Sequence, residues 1–516
     1  MSVSTYLKSV PELRTIAALP YYGRSKLLVI DPAQQTEVPR STIFRCNLRL
    51  SNSDLRLPLS YETAISQLLA LGHELHGTQH KFDLQYVRTL VAALGDPQSR
   101  FKSVLIAGTN GKGSTAATLA SILIAAGHRT GLFTSPHLVR VNERISVNGK
   151  LISDEDFAAV YERVESAAQK LVAAGDLPWH PSFFEMLTAM AFLHFAESGV
   201  EIAVLEVGMG GRLDATNIVN PVISVITDIS LDHQKFLGNT IGEIAREKAG
   251  IIRPNGVVVT LPQHPEANAV IGNTVLELGA HATSAVPYVP PVSPGAESTG
   301  AATRNRYTLE LMGEQIMVDS PLVGRHQLRN VALAIATAEQ LNGAGISVKP
   351  RDIERGIRET RWPGRFQTIQ ATDVSPEILL DVAHNPAGAW ALRSALSERY
   401  PDRDITIVFG IMRDKAVSEV VQILFPMAKQ VILTRANNPR SAEPLEIRSL
   451  AESISTNVHA EPNVAAALER AVHADVATPA GAPVRKTLVV ITGSIYIVGE
   501  AIALLESRRA ATPNNT

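Results

Sequence analysis

Val104-Leu-Ile-Ala-Gly-Thr-Asn-Gly-Lys-Gly-Ser-Thr115 is the stretch on which the reading of this 516-residue chain turns. Val104 to Ala107 form an unbroken apolar run, the pattern of a short strand covered on both faces. Gly108, Gly111 and Gly113 follow, removing side chains where the backbone must turn tightly or approach a ligand. Ser114 and Thr115 then open a helix expected to continue through Ala126. Amide groups at a helix start, with Lys112 among them, make an anion site suited to polyphosphate. Two details depart from the plain phosphate-loop motif: Gly113 stands where Ser or Thr should follow the lysine, and no glycine lies five residues before Gly111. The alternative is a glycine-rich turn that holds no phosphate. The order of strand, glycines, lysine and hydroxyls favours the phosphate loop.

A chain of this length should form two or three domains, each with its own core. Apolar content of 45% and charged content of 19% describe an ordinary globular protein. The net charge of −2 points to neither nucleic acid nor an anionic membrane as partner. One cysteine, Cys46, excludes an internal disulfide framework and any cysteine-based metal cluster, which suits the cytoplasm. No apolar run reaches the roughly eighteen residues of a membrane span. The N-terminus has no apolar stretch behind a basic start, and Glu12, Asp31 and Glu37 argue against a transit peptide.

Residues 1–57, interrupted by Pro11, Pro20, Pro32 and Pro39, read as an irregular extension. A helix is expected from Ser60 to Gly72 with Tyr61, Ile65, Leu68 and Leu69 on one face, and a second from Asp83 to Leu94. After the phosphate-loop helix, Leu132 to Thr134 complete a βαβ start to a parallel sheet. The polar loop 134–144 lies beyond a strand's carboxyl end, where open α/β sheets place ligands. Ser153 caps a helix to about Ala174, and Pro181-Ser-Phe-Phe-Glu-Met186 opens another to about Ser198, in which Glu185 needs a partner. Ile202 to Val207 is a buried strand carrying Glu206; this carboxylate could hold Mg²⁺ beside a phosphate loop or pair with Arg212. Val222 to Thr227 is a strand ending in Asp228-Ile-Ser-Leu-Asp-His233, where His233 alone would read as structural. Ile241 to Ala249 is helical, with Lys248 a favourable dipole partner in its last turn. Val257 to Leu261 is a strand, 281–303 a proline-rich surface excursion, and Val331 to Leu341 a helix. From Arg361-Trp-Pro-Gly-Arg-Phe366 onward βα alternation restarts, with strands at 378–382, 405–409, 430–433 and 488–491.

A spaced, ordered set of segments resembles one family: GTNGKGST at 108–115, TSPHLVRVNERI at 134–145, SFFEMLT at 182–188, LEVGMGGRLDATN at 205–217, TDISLDHQKFLG at 227–238, EIAREKAGI at 243–251, GRHQLRN at 324–330, RWPGRF at 361–366 and LDVAHNPAG at 380–388. The chain is similar over about residues 60–505 to the folylpolyglutamate synthases, including the bifunctional dihydrofolate synthase/folylpolyglutamate synthase type, within the Mur ligase superfamily. The resemblance implies an α/β fold: a phosphate-loop ATPase domain with a mostly parallel sheet over 58–361, then a smaller Rossmann-like domain over 362–507 and a tail at 508–516. The leading 57 residues and the 281–303 excursion have no counterpart in these motifs.

The implied activity is ATP-dependent ligation of L-glutamate to dihydropteroate, to reduced folates, or to both, through an acyl phosphate. The implied ATP site comprises Thr109, Asn110, Gly111, Lys112, Gly113, Ser114, Thr115, Asn330, Arg365 and Asp381. Ser135, Glu206 and His233 match Mg²⁺ ligands, and Lys248 matches a lysine carbamylated to serve a second Mg²⁺; a monovalent cation is a further candidate. Lys112, Lys248 and His384 would be catalytic, and Arg144, Phe184, Arg212, Asp214 and His384 would contact the acceptor or glutamate. A cytoplasmic monomer acting on small molecules is expected. Alternatives are a monofunctional folylpolyglutamate synthase, another Mur-type amino acid ligase, a non-catalytic nucleotide-binding module and a dinucleotide-binding oxidoreductase. The charged residues Lys112, Glu206, His233, Lys248 and Asp381 disfavour the third, and a lysine inside the glycine turn the fourth.

Overall fold

The computed structural model describes residues 16–17, 28–29, 59–72, 83–291, 304–372, 375–473 and 486–511. Residues 1–57 form a unit of their own, in which β1 (Ile16–Ala17) and β2 (Leu28–Val29) pair antiparallel. The rest of the expected extension, residues 292–303 of the proline-rich stretch and residues 512–516 of the tail lie outside the described residues.

Two capped helices precede the first sheet. The Ser60 hydroxyl accepts from the Thr63 N–H at the start of α1 (Tyr61–Ala70), and the Asp83 carboxylate from Gln85 at the start of α2 (Leu84–Ala93). Of the expected face of α1, Leu68 is buried and Tyr61 and Ile65 pack partly buried against the core, with Ala64 buried between them, whereas Leu69 is 40% exposed.

The first lobe then runs β3 (Lys102–Ala107), α3 (Lys112–Ala125), β4 (Thr130–Phe133), β5 (Ile145–Val147), β6 (Lys150–Leu151), α4 (Asp154–Ala174), α5 (Phe183–Glu197), β7 (Ile202–Glu206), β8 (Ile223–Ile226), α6 (Gln234–Leu237), α7 (Ile241–Ala249), β9 (Val257–Thr260), α8 (Pro265–Glu277) and β10 (His281–Ser284). These strands make one sheet in the order β10-β9-β8-β3-β7-β4-β5-β6, parallel except at β5 and β6. The helix after the glycine turn begins at Lys112, two residues earlier than expected. The start of the proline-rich excursion is not a loop: β10 extends the sheet, in parallel register with β9.

Side chains alternate across a strand, and the two faces of β3 show it. Leu105 and Ala107 join the core beneath α5, with Phe133, Leu205 and Ile226. Val104 and Ile106 join a second core with Val204 and Val225, under α3 and the later helix α9 (Arg325–Leu341). Between β10 and α9 lies a separate hairpin, β11 (Asn305–Leu311) with β12 (Glu314–Ser320), that the sequence reading did not identify. α9 starts at Arg325, so the Gly324–Asn330 motif forms its first turns.

Helix α10 (Pro350–Glu359) packs on α3 and leads into the connecting segment 360–366. Beyond that segment stand β13 (Gln367–Ile369), β14 (Glu377–Leu380), α11 (Pro386–Arg399), β15 (Asp404–Phe409), α12 (Val417–Leu424), β16 (Gln430–Leu433), α13 (Pro444–Glu452), β17 (Val458–Ala460), α14 (Val464–His473), β18 (Thr487–Thr492) and α15 (Ile495–Ala511). The second sheet, β13-β14-β18-β15-β16-β17, is parallel except at β13 and carries a core on each face. Among the described residues, no helix is long and apolar enough to cross a membrane.

The α3–α10 contact is close enough to require glycine. A Cβ on Gly356 would stand 2.3 Å from Ile122 Cα and 2.6 Å from its N, and the Ser121 hydroxyl donates to the Gly356 carbonyl at 2.7 Å. Neither backbone can yield cheaply, so Gly356→Ala is expected to destabilise the protein by about 1–3 kcal/mol. A urea unfolding midpoint unchanged from the parent would contradict this packing.

Candidate active site

The carboxyl ends of the first lobe's parallel strands open onto a cavity of about 990 Å³, closed on its far side by residues of the second lobe. Ligands of open α/β sheets bind at such strand ends. The glycine turn forms the floor. Thr109 and Asn110 donate their backbone N–H groups to the Asp228 carbonyl at 2.8 and 3.1 Å, which fixes the turn to the end of β8. The Asn110 amide is therefore committed within the protein. The amides at the start of α3, including Lys112, Gly113 and Ser114, lack intrahelical acceptors and form the anion-binding end. Gly111 has φ +88°, and a Cβ there would fall 2.1 Å from Asn330 Oδ1. Lys112 Nζ folds back to donate to the Gly108 and Thr109 carbonyls at 3.1 and 3.2 Å. Ser114 lines the cavity, but Thr115, expected beside ATP, is fully buried and donates to the Asn330 carbonyl at 3.4 Å instead.

Buried charge surrounds this floor. Glu206 is 5% exposed, accepts from the Ser135 N–H at 3.1 Å, and feels Lys112, Arg365 and Arg144 through space. Burial raises its pKa. The expected alternative, a Glu206–Arg212 pair, does not form: Arg212 pairs with Glu247 at 2.9 Å. Lys248 is 3% exposed and donates to the Gly108 carbonyl at 2.7 Å. Burial, reinforced by the Lys112 charge, lowers its pKa to about 7. Arg365 reaches the cavity from the connecting segment, its pKa lowered by burial and supported by Asp381 and Glu206.

His233 has φ +51° and lines the cavity. Burial, then the Lys415 charge, lowers its pKa to about 4, so the imidazole is neutral near pH 7. Asp381 spends both oxygens inside the second lobe, accepting from Phe366 and Ala383 N–H at 2.9 Å each. It thus fastens the connecting segment to the loop bearing His384, whose Nδ1 meets the Val382 carbonyl at 2.9 Å. A carbonyl only accepts, so Nδ1 carries the hydrogen.

The acceptor side mixes contact and support. Phe184 lines the cavity with its ring 5.9 Å from that of Phe133. Asp214 also lines it, but its carboxylate mainly shapes the 208–216 turn, accepting from the N–H groups of Met209 and Thr216 at 3.0 Å. Arg144, 2% exposed, is not among the lining residues; it sits behind them, donating to His137 at 2.9 Å and to the Ser135 hydroxyl at 3.4 Å. Glu185 finds its partner in Ser182, in a capping box.

Four participants escaped the sequence reading: Asp232, Lys415, Asn385 and Trp362. Asp232 pairs with Lys415 at 2.7 Å, and Asn385 Nδ2 donates to Asn110 Oδ1 at 2.9 Å, both between lobes. Burial pushes the Asp232 pKa up, but the His384 hydrogen bond and the Lys415 charge outweigh it and hold the carboxyl well below its ordinary range. Trp362, from the connecting segment, lies where residue 113 would carry a side chain: a Cβ on Gly113 would meet its Cζ2 at 2.7 Å and Glu206 Oε2 at 3.3 Å. This is why glycine and not a hydroxyl residue follows Lys112. Gly113→Ala is expected to leave the circular dichroism spectrum unchanged while weakening ATP binding about tenfold, or about 1.4 kcal/mol. Titration calorimetry giving the parent affinity would rule out this steric account.

Two family models match the chain: the Mur ligase middle domain over residues 106–338 and the Mur ligase glutamate ligase domain over 364–495. The dihydrofolate synthase/folylpolyglutamate synthase of Bacillus subtilis is 33% identical over 423 residues, 80% of this chain and 93% of that protein. A solved Mycobacterium tuberculosis folylpolyglutamate synthase, complexed with ADP and AMPPCP, superposes with a TM-score of 0.73 at 32% identity, covering 86% of this chain and 98% of that one. Escherichia coli FolC, solved with DHPP and ADP, gives 0.70 at 30% identity with the same coverage. With the phosphate loop, the interlobe cavity and these matches in agreement, the chain belongs to the dihydrofolate synthase/folylpolyglutamate synthase family of Mur ligases.

Proposed function

We propose that this protein is an ATP-dependent ligase that joins L-glutamate to dihydropteroate and to the glutamate tail of reduced folates. The observation that carries the reading is the cavity itself: Lys112, Lys248 and Arg365 converge there from the phosphate loop, from α7 and from the connecting segment. The cations of Lys112 and Arg365, brought into one cavity, suit a reaction that brings a carboxylate against a triphosphate.

The acceptor's carboxylate oxygen attacks the γ-phosphorus of ATP, the bond to the β-phosphate oxygen breaks, and ADP leaves an acyl phosphate behind. The amine of L-glutamate then attacks the acyl carbon. The tetrahedral adduct loses a proton and expels phosphate as the amide forms. Lys112 and the first amides of α3 hold the phosphates, and Arg365 neutralises charge from the opposite wall. Asn330 and Arg365 contact the nucleotide. Phe184 and the 208–217 turn flank the acceptor, and Asp381 and His384 place the nucleotide and glutamate from the second lobe. Enclosure between lobes excludes water, which would otherwise hydrolyse the acyl phosphate.

The residues also suit magnesium. Glu206 is a buried carboxylate with one backbone hydrogen bond at the mouth of the phosphate loop, and His233 is an uncharged imidazole in the same cavity. With Ser135 they offer the mixed oxygen and nitrogen donors a Mg²⁺ accepts, and a carbamylated Lys248 would serve a second ion. When bound, magnesium would neutralise phosphate charge and favour departure of ADP.

A specific observation also keeps a narrower reading open: a Lacticaseibacillus casei relative, 38% identical over 336 residues, is named folylpolyglutamate synthase alone. The purified protein with Mg-ATP, L-glutamate and either dihydropteroate or a reduced folate should release phosphate and yield the glutamylated mass with both acceptors. One active acceptor would reduce the activity to a single function, and none would refute it. Lys112→Ala should lower turnover at least about a hundredfold with the fold intact; near-parent turnover would remove its assigned role.

Lys248 provides a separate check. Carbamylation needs the neutral amine, and an amine with pKa near 7 is mostly neutral above that pH and mostly protonated below it. A carbamate carbon signal under ¹³CO₂ should therefore decline as pH falls from about 8 to about 6, and be missing in Lys248→Ala. Short carboxylic acids should restore part of the activity of Lys248→Ala. An identical carbon spectrum for parent and variant would dispose of the modification.

A further inference from the structure

A buried ion pair between the lobes, Asp232 with Lys415, joins two residues to which the proposed chemistry gives no role. Asp232 follows β8, and its carboxylate is approached by three side chains of the second lobe. Lys415 Nζ donates to Oδ1 at 2.7 Å, Asn385 Nδ2 to Oδ2 at 3.3 Å, and His384 Nε2 lies 3.5 Å from Oδ2. The same carboxylate accepts from the backbone N–H of His233 at 2.8 Å. His233 holds φ +51°, a conformation that a non-glycine residue adopts only when its surroundings impose it. Lys415 Nζ also lies 3.3 Å from His233 Nε2.

Lys415 and Asp232 are 7% and 9% exposed. A buried ion pair gains little net stability, because desolvating both charges offsets their attraction; its best attested use is to fix register between parts that could otherwise sit differently. Here those parts are two lobes with separate sheets, joined through 360–366. Resting on the ligase reading above, we propose that Lys415 is a positioning residue. By docking across the cleft onto Asp232 it sets the closed register of the lobes, and through the Asp232–His233 amide contact it ties that register to the placement of the His233 imidazole. Lobe closure and assembly of the phosphate end of the site are then one event, governed by a lysine that need not touch the reacting atoms.

The test measures closure directly. Nitroxide labels on Leu276→Cys and Leu445→Cys, both strongly exposed and one on each lobe, report the interlobe distance by pulsed electron resonance in a Cys46→Ser background of the full chain. With a non-hydrolysable ATP analogue and a reduced folate, the parent should give one narrow distribution. Lys415→Met should broaden and lengthen it, and Lys415→Arg, which keeps a cation within reach of Asp232, should recover most of the narrow peak. Turnover in Lys415→Met should fall about a hundredfold, as for misplacement of reacting groups by about an ångström. KM for ATP should stay within about threefold, since the phosphate loop is untouched. Asp232→Asn should reproduce the broadening, which keeps the test decisive if Lys415→Met melts early. Superimposable distance distributions for parent, Lys415→Met and Asp232→Asn would overturn the proposal. The distance measurement needs no turnover, so a parent that ligates no glutamate would remove the activity and leave the latch to stand or fall on the distances alone.

Discussion

The ring of Trp362, lying where residue 113 would carry a Cβ, is the contact on which the arrangement of this molecule depends. It joins the phosphate loop to the segment between the lobes, so neither can shift without the other. The segment is itself delivered by α10, which Gly356 lets approach α3 at backbone distance. The phosphate-loop helix therefore carries the anion-binding turn at one end and the seat of the interlobe connection along its side. Close-packed interiors transmit displacement instead of absorbing it. A loop with a hydroxyl residue directly after its lysine would have no room for Trp362. Ser114, one position later, lines the cavity.

Electrostatics gives the same region its direction. Lys112 and Lys248 donate to backbone carbonyls, and Glu206 accepts from a backbone amide; none of these contacts is an ion pair. Charges held in this way keep much of their capacity for an incoming ligand. Their interaction with that ligand is strengthened by exclusion of water. The lowered pKa of Lys248 and the raised pKa of Glu206 are two signs of one condition, desolvation that outweighs the opposite charges nearby. Asp232 lies in the same cavity and shows the opposite behaviour, its pKa depressed because second-lobe partners surround it. The cavity thus separates charges left free to meet substrate from charges already spent on closing the lobes.

Much of the fold could be read from the sequence because local pattern and tertiary environment coincide there. Strands such as 202–206 and 405–409 are buried on both faces, so an unbroken apolar run identifies them. Ser153 supplies the side-chain cap its position suggested, and Ser60 and Asp83 cap the helices that were expected to begin at them. The hairpin β11–β12 was overlooked for the opposite reason: its alternation is diluted by exposed polar positions and it follows a proline-rich stretch. Yet a signal existed. Met312 and Gly313 both have positive φ, the requirement of a two-residue hairpin turn, and Leu-Met-Gly-Glu between alternating segments could have been read that way. β10 escaped notice because a four-residue edge strand that is mostly exposed leaves almost no hydrophobic trace.

The site divides along a similar line. The residues on which the reading rested occupy strand ends and helix termini, where a single segment dictates what a side chain can face; Lys112, Glu206 and Lys248 all meet the cavity. Thr115 and Arg144 were expected at the ligand and are instead buried outside the cavity lining, because a motif fixes the order of its residues but not which neighbouring side chain turns inward. Lys415 carried no usable signal. It follows Arg413 and Asp414 on an exposed-looking turn, and its partner is 183 residues away. Nothing in either segment announces the other, since each is compatible with a solvated charge. Pairings of that kind form only where segments far apart in the chain meet in the fold. Interlobe control is therefore the part of this enzyme least visible in its sequence, although the reactive groups it would govern are among the most legible.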